Sequence, residues 1–123
     1  MARYVDSTEQ LVVEVLVRDS KRSRDFYQKL GFELIEDRGD FVILAWDGHR
    51  FFLDERKDLP PSPGVQYANV RIMVPKVDDY WKLASEMGAS VLNAIGDRGY
   101  GLRDFTISDP DGFGLRFGSW LTQ

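Results

Sequence analysis

The side chains available for chemistry in this chain are few. There is no cysteine and a single histidine, His49. That removes disulfides, thiolate nucleophiles and zinc–cysteine centres. One histidine also leaves no nucleophile–base–orienter set built from the usual parts, and His49 follows Asp47-Gly48, a place for a solvated turn residue. What remains is ionic. Strand alternation over residues 12–17 and 69–74 puts Glu14 on one face with Val12 and Leu16, and Arg71 on one face with Asn69 and Met73. Near the C-terminus the same alternation groups Arg116 with Gly114 and Gly118. One acid and two bases are thus expected on matching faces. Glu14 can neutralise the arginines, since buried charges must be paired. An arginine only partly matched can instead hold a carboxylate or phosphate with two parallel hydrogen bonds. Glu14 is also a candidate general base, though a weak one beside two cations.

A second candidate is the glycine-rich run Gly96-Asp97-Arg98-Gly99-Tyr100-Gly101-Leu102-Arg103-Asp104-Phe105. Its glycines let a loop adapt, and an exposed Tyr100 ring offers a stacking face. A plain connector with one packed tyrosine is the alternative. A phosphate loop is not supported, because no lysine and no following helix accompany the glycines. Asp109-Pro110-Asp111-Gly112 resembles a catalytic acidic pair, but turn chemistry accounts for it. Lys21, Arg22 and Arg24 read as a solvated helix face. Trp46, Trp81 and Trp120 read as core or dimer contacts.

The elements that position these residues come twice. Val12–Val17 and Asn69–Val74 are β-branched runs, each followed by a helical stretch ending in glycine, Gly31 or Gly88. The offset is constant at 57 residues (74 − 17 and 88 − 31). Asp47-Gly48 is echoed by Asp111-Gly112 at an offset of 64 (112 − 48), so the second copy carries seven additional residues (64 − 57). A duplication in so short a chain implies two half-domains. The first is expected as βαβββ, with strands at 11–17, 32–37, 40–46 and 50–54, a helix capped by Asp19 or Ser20, and a tight Asp47-Gly48 hairpin. The second has strands at 69–74, 89–94, 102–108 and 114–118. Its helix is expected to be capped by Asp78, with Tyr80, Leu83, Ala84 and Met87 as a buried stripe. Residues 95–101 are expected to be the loop that holds the insertion, and residues 1–10 a flexible arm or an added strand. The organisation is therefore one domain of two modules, about 11–57 and 66–118, joined by a proline-rich linker at 58–65.

Composition narrows the function classes. At 123 residues the chain has room for one core. A net charge of −4 argues against bulk nucleic-acid affinity. The apolar runs are too short to span a membrane, and no charged-then-apolar leader is evident, so a cytoplasmic location is expected.

The duplicated pattern, with Phe26-Tyr27 and Leu30-Gly31-Phe32 in one half and Arg103-Asp104-Phe105 and Asp109-Pro110-Asp111-Gly112 in the other, resembles the glyoxalase/bleomycin-resistance/dioxygenase superfamily, the vicinal oxygen chelate proteins. The resemblance covers nearly the whole chain. It implies an α+β fold in which two βαβββ modules form a half-open, barrel-like cleft, in many members as a homodimer. It also implies a metal held by His, Glu or Gln on the first and last strands of each module. The repeat places those positions at Val12, Phe52, Asn69 and Arg116. Valine and phenylalanine offer no side-chain lone pair, asparagine alone is a weak ligand, and arginine is a fixed cation. No metal and no cofactor are expected. In the resemblance an aromatic–glycine pair at the cleft rim corresponds to Tyr100-Gly101, and Phe113 stands where Asn or His commonly follows the Asp-Pro-Asp-Gly turn. The chain looks most like the bleomycin-resistance branch, which sequesters a drug without modifying it. The ligand-binding residues expected are Glu14, Phe52, Asn69, Arg71, Tyr100, Arg103 and Arg116, with a small aromatic or acidic ligand. The alternatives are a glyoxalase-like lyase or isomerase or a dioxygenase-type enzyme, and a ligand-free dimeric interaction module.

Overall fold

The valine-rich runs are strands, and each half closes them into its own sheet. The computed structural model describes residues 3–62, 64 and 67–121. It divides between Pro61 and Ser62 into two units. The linker expected at 58–65 falls at this division; Pro63 and Val65 lie outside the described residues.

In the first unit, α1 (Ser7–Gln10) precedes β1 (Val13–Val17), α2 (Ser20–Leu30), β2 (Glu33–Asp37), β3 (Phe41–Trp46) and β4 (His49–Glu55). The sheet order is β1-β4-β3-β2, with β1 parallel to β4 and the rest antiparallel. Asp19 caps α2, its carboxylate accepting from the Arg22 N–H at 3.1 Å. Gly31 ends the helix at φ 120°, a backbone conformation that favours glycine, and a Cβ there would lie 3.2 Å from the Trp46 ring, a tight contact. The Asp47-Gly48 hairpin has positive φ at both residues, 48° and 84°, as a two-residue turn matched to strand twist requires. Tyr27 of α2 packs on Phe32 and Phe51 at ring distances of 5.1 and 5.0 Å, over a floor of fully buried Val17, Val42, Leu44 and Leu53.

In the second unit, β5 (Asn69–Met73), α3 (Val77–Glu86), β6 (Ser90–Asp97), β7 (Leu102–Ser108) and β8 (Gly114–Trp120) repeat the topology as β5-β8-β7-β6, with β5 parallel to β8. The duplication extends to register. Val13 pairs with Phe51 and Val70 with Leu115, and these four positions carry the offsets read from sequence (70 − 13 = 57, 115 − 51 = 64). Tyr80 stacks on Phe117 and Trp81 meets Phe105 edge-on, both at 5.2 Å. One face of this sheet is therefore filled by the helix. Neither sheet closes into a barrel, and the architecture is α+β.

Four expectations about elements change. Residues 7–10 form a helical turn capped by Asp6 rather than an arm or strand, because the Asp6 carboxylate takes the Thr8 N–H. Asp78 does not cap α3. The helix starts at Val77, and Asp78 sits inside its first turn with its carboxylate turned to Arg103. β6 runs on to Asp97 through two register shifts of one residue each, so the expected loop is largely strand and only two of the additional residues are taken up as bulges. β8 continues to Trp120, two residues beyond the strand expected at 114–118.

Candidate functional site

The face of the second sheet opposite α3 carries the cluster. Phe105 and Phe117 point at the helix, so their strand neighbours Asp104, Thr106, Arg116 and Gly118 face away from it. Arg71 and Arg116 are direct partners across the parallel β5·β8 pair, and Asn69 lies two residues before Arg71 on that face. Two arginines side by side repel one another.

The carboxylate beside them is Asp104, whose side chain is 1% exposed. Arg98 Nε donates to its Oδ1 at 2.8 Å, and the Tyr100 hydroxyl donates to its Oδ2 at 2.6 Å. Arg98 also donates to the backbone oxygens of Ala94 and Asp104. Small residues make the room. Gly96 and Gly118 flank Asp104 on the neighbouring strands. A Cβ on Gly96 would come within 3.2 Å of the Arg98 guanidinium, and one on Gly118 within 3.3 Å of Asp104 Cβ. Burial pushes the Asp104 carboxyl up, but the hydrogen bonds from Arg98 and Tyr100 and the charges of Arg98 and Arg116 outweigh it and hold it below its ordinary value. The Tyr100 hydroxyl is raised, first by donating to Asp104 and then by burial.

Arg116 is not fully engaged by this carboxylate. Its Nη1 lies 3.9 Å from Asp104 Oδ2, too far for a hydrogen bond. Its Nε is buried and has no hydrogen-bond partner among the described residues. The Tyr100 ring covers it, centred 5.9 Å from the guanidinium carbon, within cation–π range. Arg71 is exposed and makes no hydrogen bond or ion pair to a described residue. Arg98 and Arg116 thus share one carboxylate and Arg71 adds a third guanidinium beside them, an excess of two positive charges (3 − 1) on one face.

Of the residues singled out from sequence, Asn69, Arg71, Tyr100 and Arg116 come together in the second unit. Arg103 does not join them. It is on the opposite face of β7, its guanidinium taken by Asp78 at 3.0 Å and Asp97 at 3.1 Å, which holds it well above the ordinary arginine value. Glu14 and Phe52 are register partners in the first unit, where Phe52 packs on Phe41 at 5.3 Å. Glu14 is exposed and makes no hydrogen bond or ion pair to a described residue, although it adds to the field at Arg56. Asp104 and Arg98 were not singled out as site residues. Alternation would have put Asp104 on one face with Thr106, but the register that sets Thr106 against Arg116 is not written in the sequence.

The positions that the fold would give to a metal do not suit one. Phe52 is partly buried against Phe41, and Arg116 places a permanent cation where a ligand would be needed. Among the described residues no group of three His, Asp or Glu side chains is close enough to hold an ion.

The model of the Glyoxalase/Bleomycin resistance protein/Dioxygenase superfamily matches residues 9–117, and the chain belongs to that superfamily. Solved structures agree in fold. A glyoxalase/bleomycin resistance protein/dioxygenase from Alicyclobacillus acidocaldarius superposes with a TM-score of 0.77 at 20% identity, covering 96% of both chains. The bleomycin resistance determinant encoded on transposon Tn5 gives 0.74 at 18% identity, covering 93% of this chain and 99% of that one. The fosfomycin resistance protein FosX from Listeria monocytogenes gives 0.76 at 16% identity, covering 90% and 92%. Comparison with curated proteins gave no match.

Proposed function

We propose that this chain is a metal-independent binding protein for a small organic molecule, holding it without transforming it. One observation carries the reading. At a position where the family's fold would place a metal ligand, the chain has Arg116, braced by Tyr100 and Asp104 and paired in register with Arg71. A fixed cation with unsatisfied donors binds; it does not supply a Lewis acid. A fold neighbour is named a bleomycin resistance determinant, and holding a drug unchanged is a physiological form that suits this reading, although the two arginines disfavour a strongly cationic drug.

Glu14 favours a second reading. It is exposed on its sheet beside Phe52 and has no hydrogen-bonding cation, as a proton-abstracting base in a metal-free isomerase or lyase would need. Calorimetric titration with bleomycin, aromatic acids and aromatic amines, followed by mass spectrometry of the recovered compound, separates the two. Saturable binding with the compound recovered unchanged is the expected result. Conversion of the compound would give the isomerase or lyase reading first place. A folded protein that binds none of them would favour a ligand-free interaction module.

A further inference from the structure

We infer that the face of the second sheet around Arg71 and Arg116 is a receptor for an aromatic carboxylate, with the arginine pair standing in for a metal as the group that holds the ligand's oxygens. The inference deepens the binding-protein reading and depends on it.

Three features point to an anion. Arg71 and Arg116 are adjacent on one face, and the carboxylate beside them, Asp104, is committed by hydrogen bonds to Arg98 and Tyr100. Among the described residues the buried Nε–H of Arg116 has no hydrogen-bond partner, and on the other side of the guanidinium Nη1 is beyond hydrogen-bond distance of Asp104. An Nε–H and an Nη–H on one edge of a guanidinium match the two oxygens of a carboxylate. The excess of positive charge would also be lowered by an incoming anion.

The aromatic part follows from Tyr100. The residue is 58% exposed, its ring lies over Arg116, and its hydroxyl is held by a buried acceptor. Gly99 and Gly101 flank it, neither with an atom near the place of a Cβ, so they leave space beside the ring, while backbone bonds from Gly101 to Arg98 and from Leu121 to Gly101 hold the turn in place. A ligand carboxylate on Arg116 would bring its own ring alongside Tyr100, where offset or edge-on contact is favourable. A strongly cationic compound would meet the two arginines and be rejected.

The test is a titration followed by amide and guanidinium NMR, using benzoate, cyclohexanecarboxylate and benzamidine, with bleomycin as a cationic control. Benzoate should bind saturably and shift the Arg116 Nε–H resonance. Cyclohexanecarboxylate should bind more weakly and benzamidine should not bind. Arg116→Gln should weaken benzoate about tenfold or more, as expected for losing charged hydrogen bonds. Arg116→Lys should lose most of the affinity while keeping the charge. Arg71→Gln, at an exposed position, should weaken benzoate without disturbing the fold. Tyr100→Ala should remove the preference for benzoate over cyclohexanecarboxylate. Bleomycin or benzamidine binding in place of benzoate would overturn the anion receptor and leave the binding-protein reading intact. Binding of none of the four, with native spectra, would overturn both. Benzoate binding unaffected by both Arg116 variants and by Arg71→Gln would overturn the site alone.

Discussion

Asp104 does at residue scale what no single arginine on its sheet could do. Its carboxylate, out of water, fixes Arg98 and Tyr100 and partly offsets Arg116. A buried carboxylate with these partners is expensive to disturb. Asp104→Ala leaves the Arg98 guanidinium without its carboxylate and should cost about 3 kcal/mol in denaturant unfolding. The linkage has a definite sign. The folded-state value of Asp104 lies below its ordinary 3.8, so its contribution is complete at neutral pH and is lost as pH falls through the folded value. Melting temperatures of wild type and Asp104→Asn should therefore differ most near neutrality, begin to converge near the ordinary value of 3.8 and meet only below the folded value. A gap that stays constant down to acid would show that the charge of Asp104 is not what stabilises the site. Tyr100 belongs to the same network, and its raised hydroxyl should ionise above the ordinary tyrosine value of 10.0 in an absorbance titration, returning toward it in the Asp104→Asn variant.

At the scale of elements, α3 shows how tertiary contacts replace a missing local signal. Its N-cap residue, Lys76, provides no side-chain acceptor. Ser119 on β8 does the work instead. Its hydroxyl accepts from the Val77 N–H at 2.9 Å and donates to the Val74 oxygen at 2.6 Å. Ser119→Ala should thus cost about 1–2 kcal/mol, as losing a cap does, and should raise amide exchange in the first turn of α3. An unchanged exchange rate there would assign the cap elsewhere. Sequence reading gave this role to Asp78, which is near in the chain, because Ser119 is 42 residues away from the amide it caps. The same limit explains Asp78 itself. Its carboxylate is turned to Arg103, and no local rule pairs residues 25 positions apart.

The whole molecule is two copies of one topology with different chemistry on their open faces. The first sheet presents Glu14, Leu16, Phe41 and Phe52; the second presents Asn69, Arg71, Arg116 and Tyr100. Among the described residues no group of His, Asp or Glu side chains offers a chelating set, so stability should not depend on a divalent ion. Dialysis against EDTA should leave the melting temperature unchanged within about a degree, and added Zn²⁺, Ni²⁺ or Mn²⁺ should not raise it. A stoichiometric ion with a shift of several degrees would return metal chemistry to this chain.

Periodicity and turn chemistry are local properties, and they determined what they control. The two βαβββ units, the offsets of 57 and 64, the Asp47-Gly48 hairpin and the inward faces of β1, β5 and β8 all follow from alternation, β-branching and the needs of positive φ. The inventory of side chains likewise argued against a metal before any distance was known. The anchor of the site was decided only by tertiary structure. Asp104 becomes a buried acceptor because β6 and β8 set Gly96 and Gly118 beside it and a short turn folds Arg98 and Tyr100 back over it. Arg103, one residue away, is turned by the pleat to the opposite face, where Asp78 and Asp97 claim it. Strand register chooses between such neighbours. It is set by packing across the sheet, which no window of sequence contains.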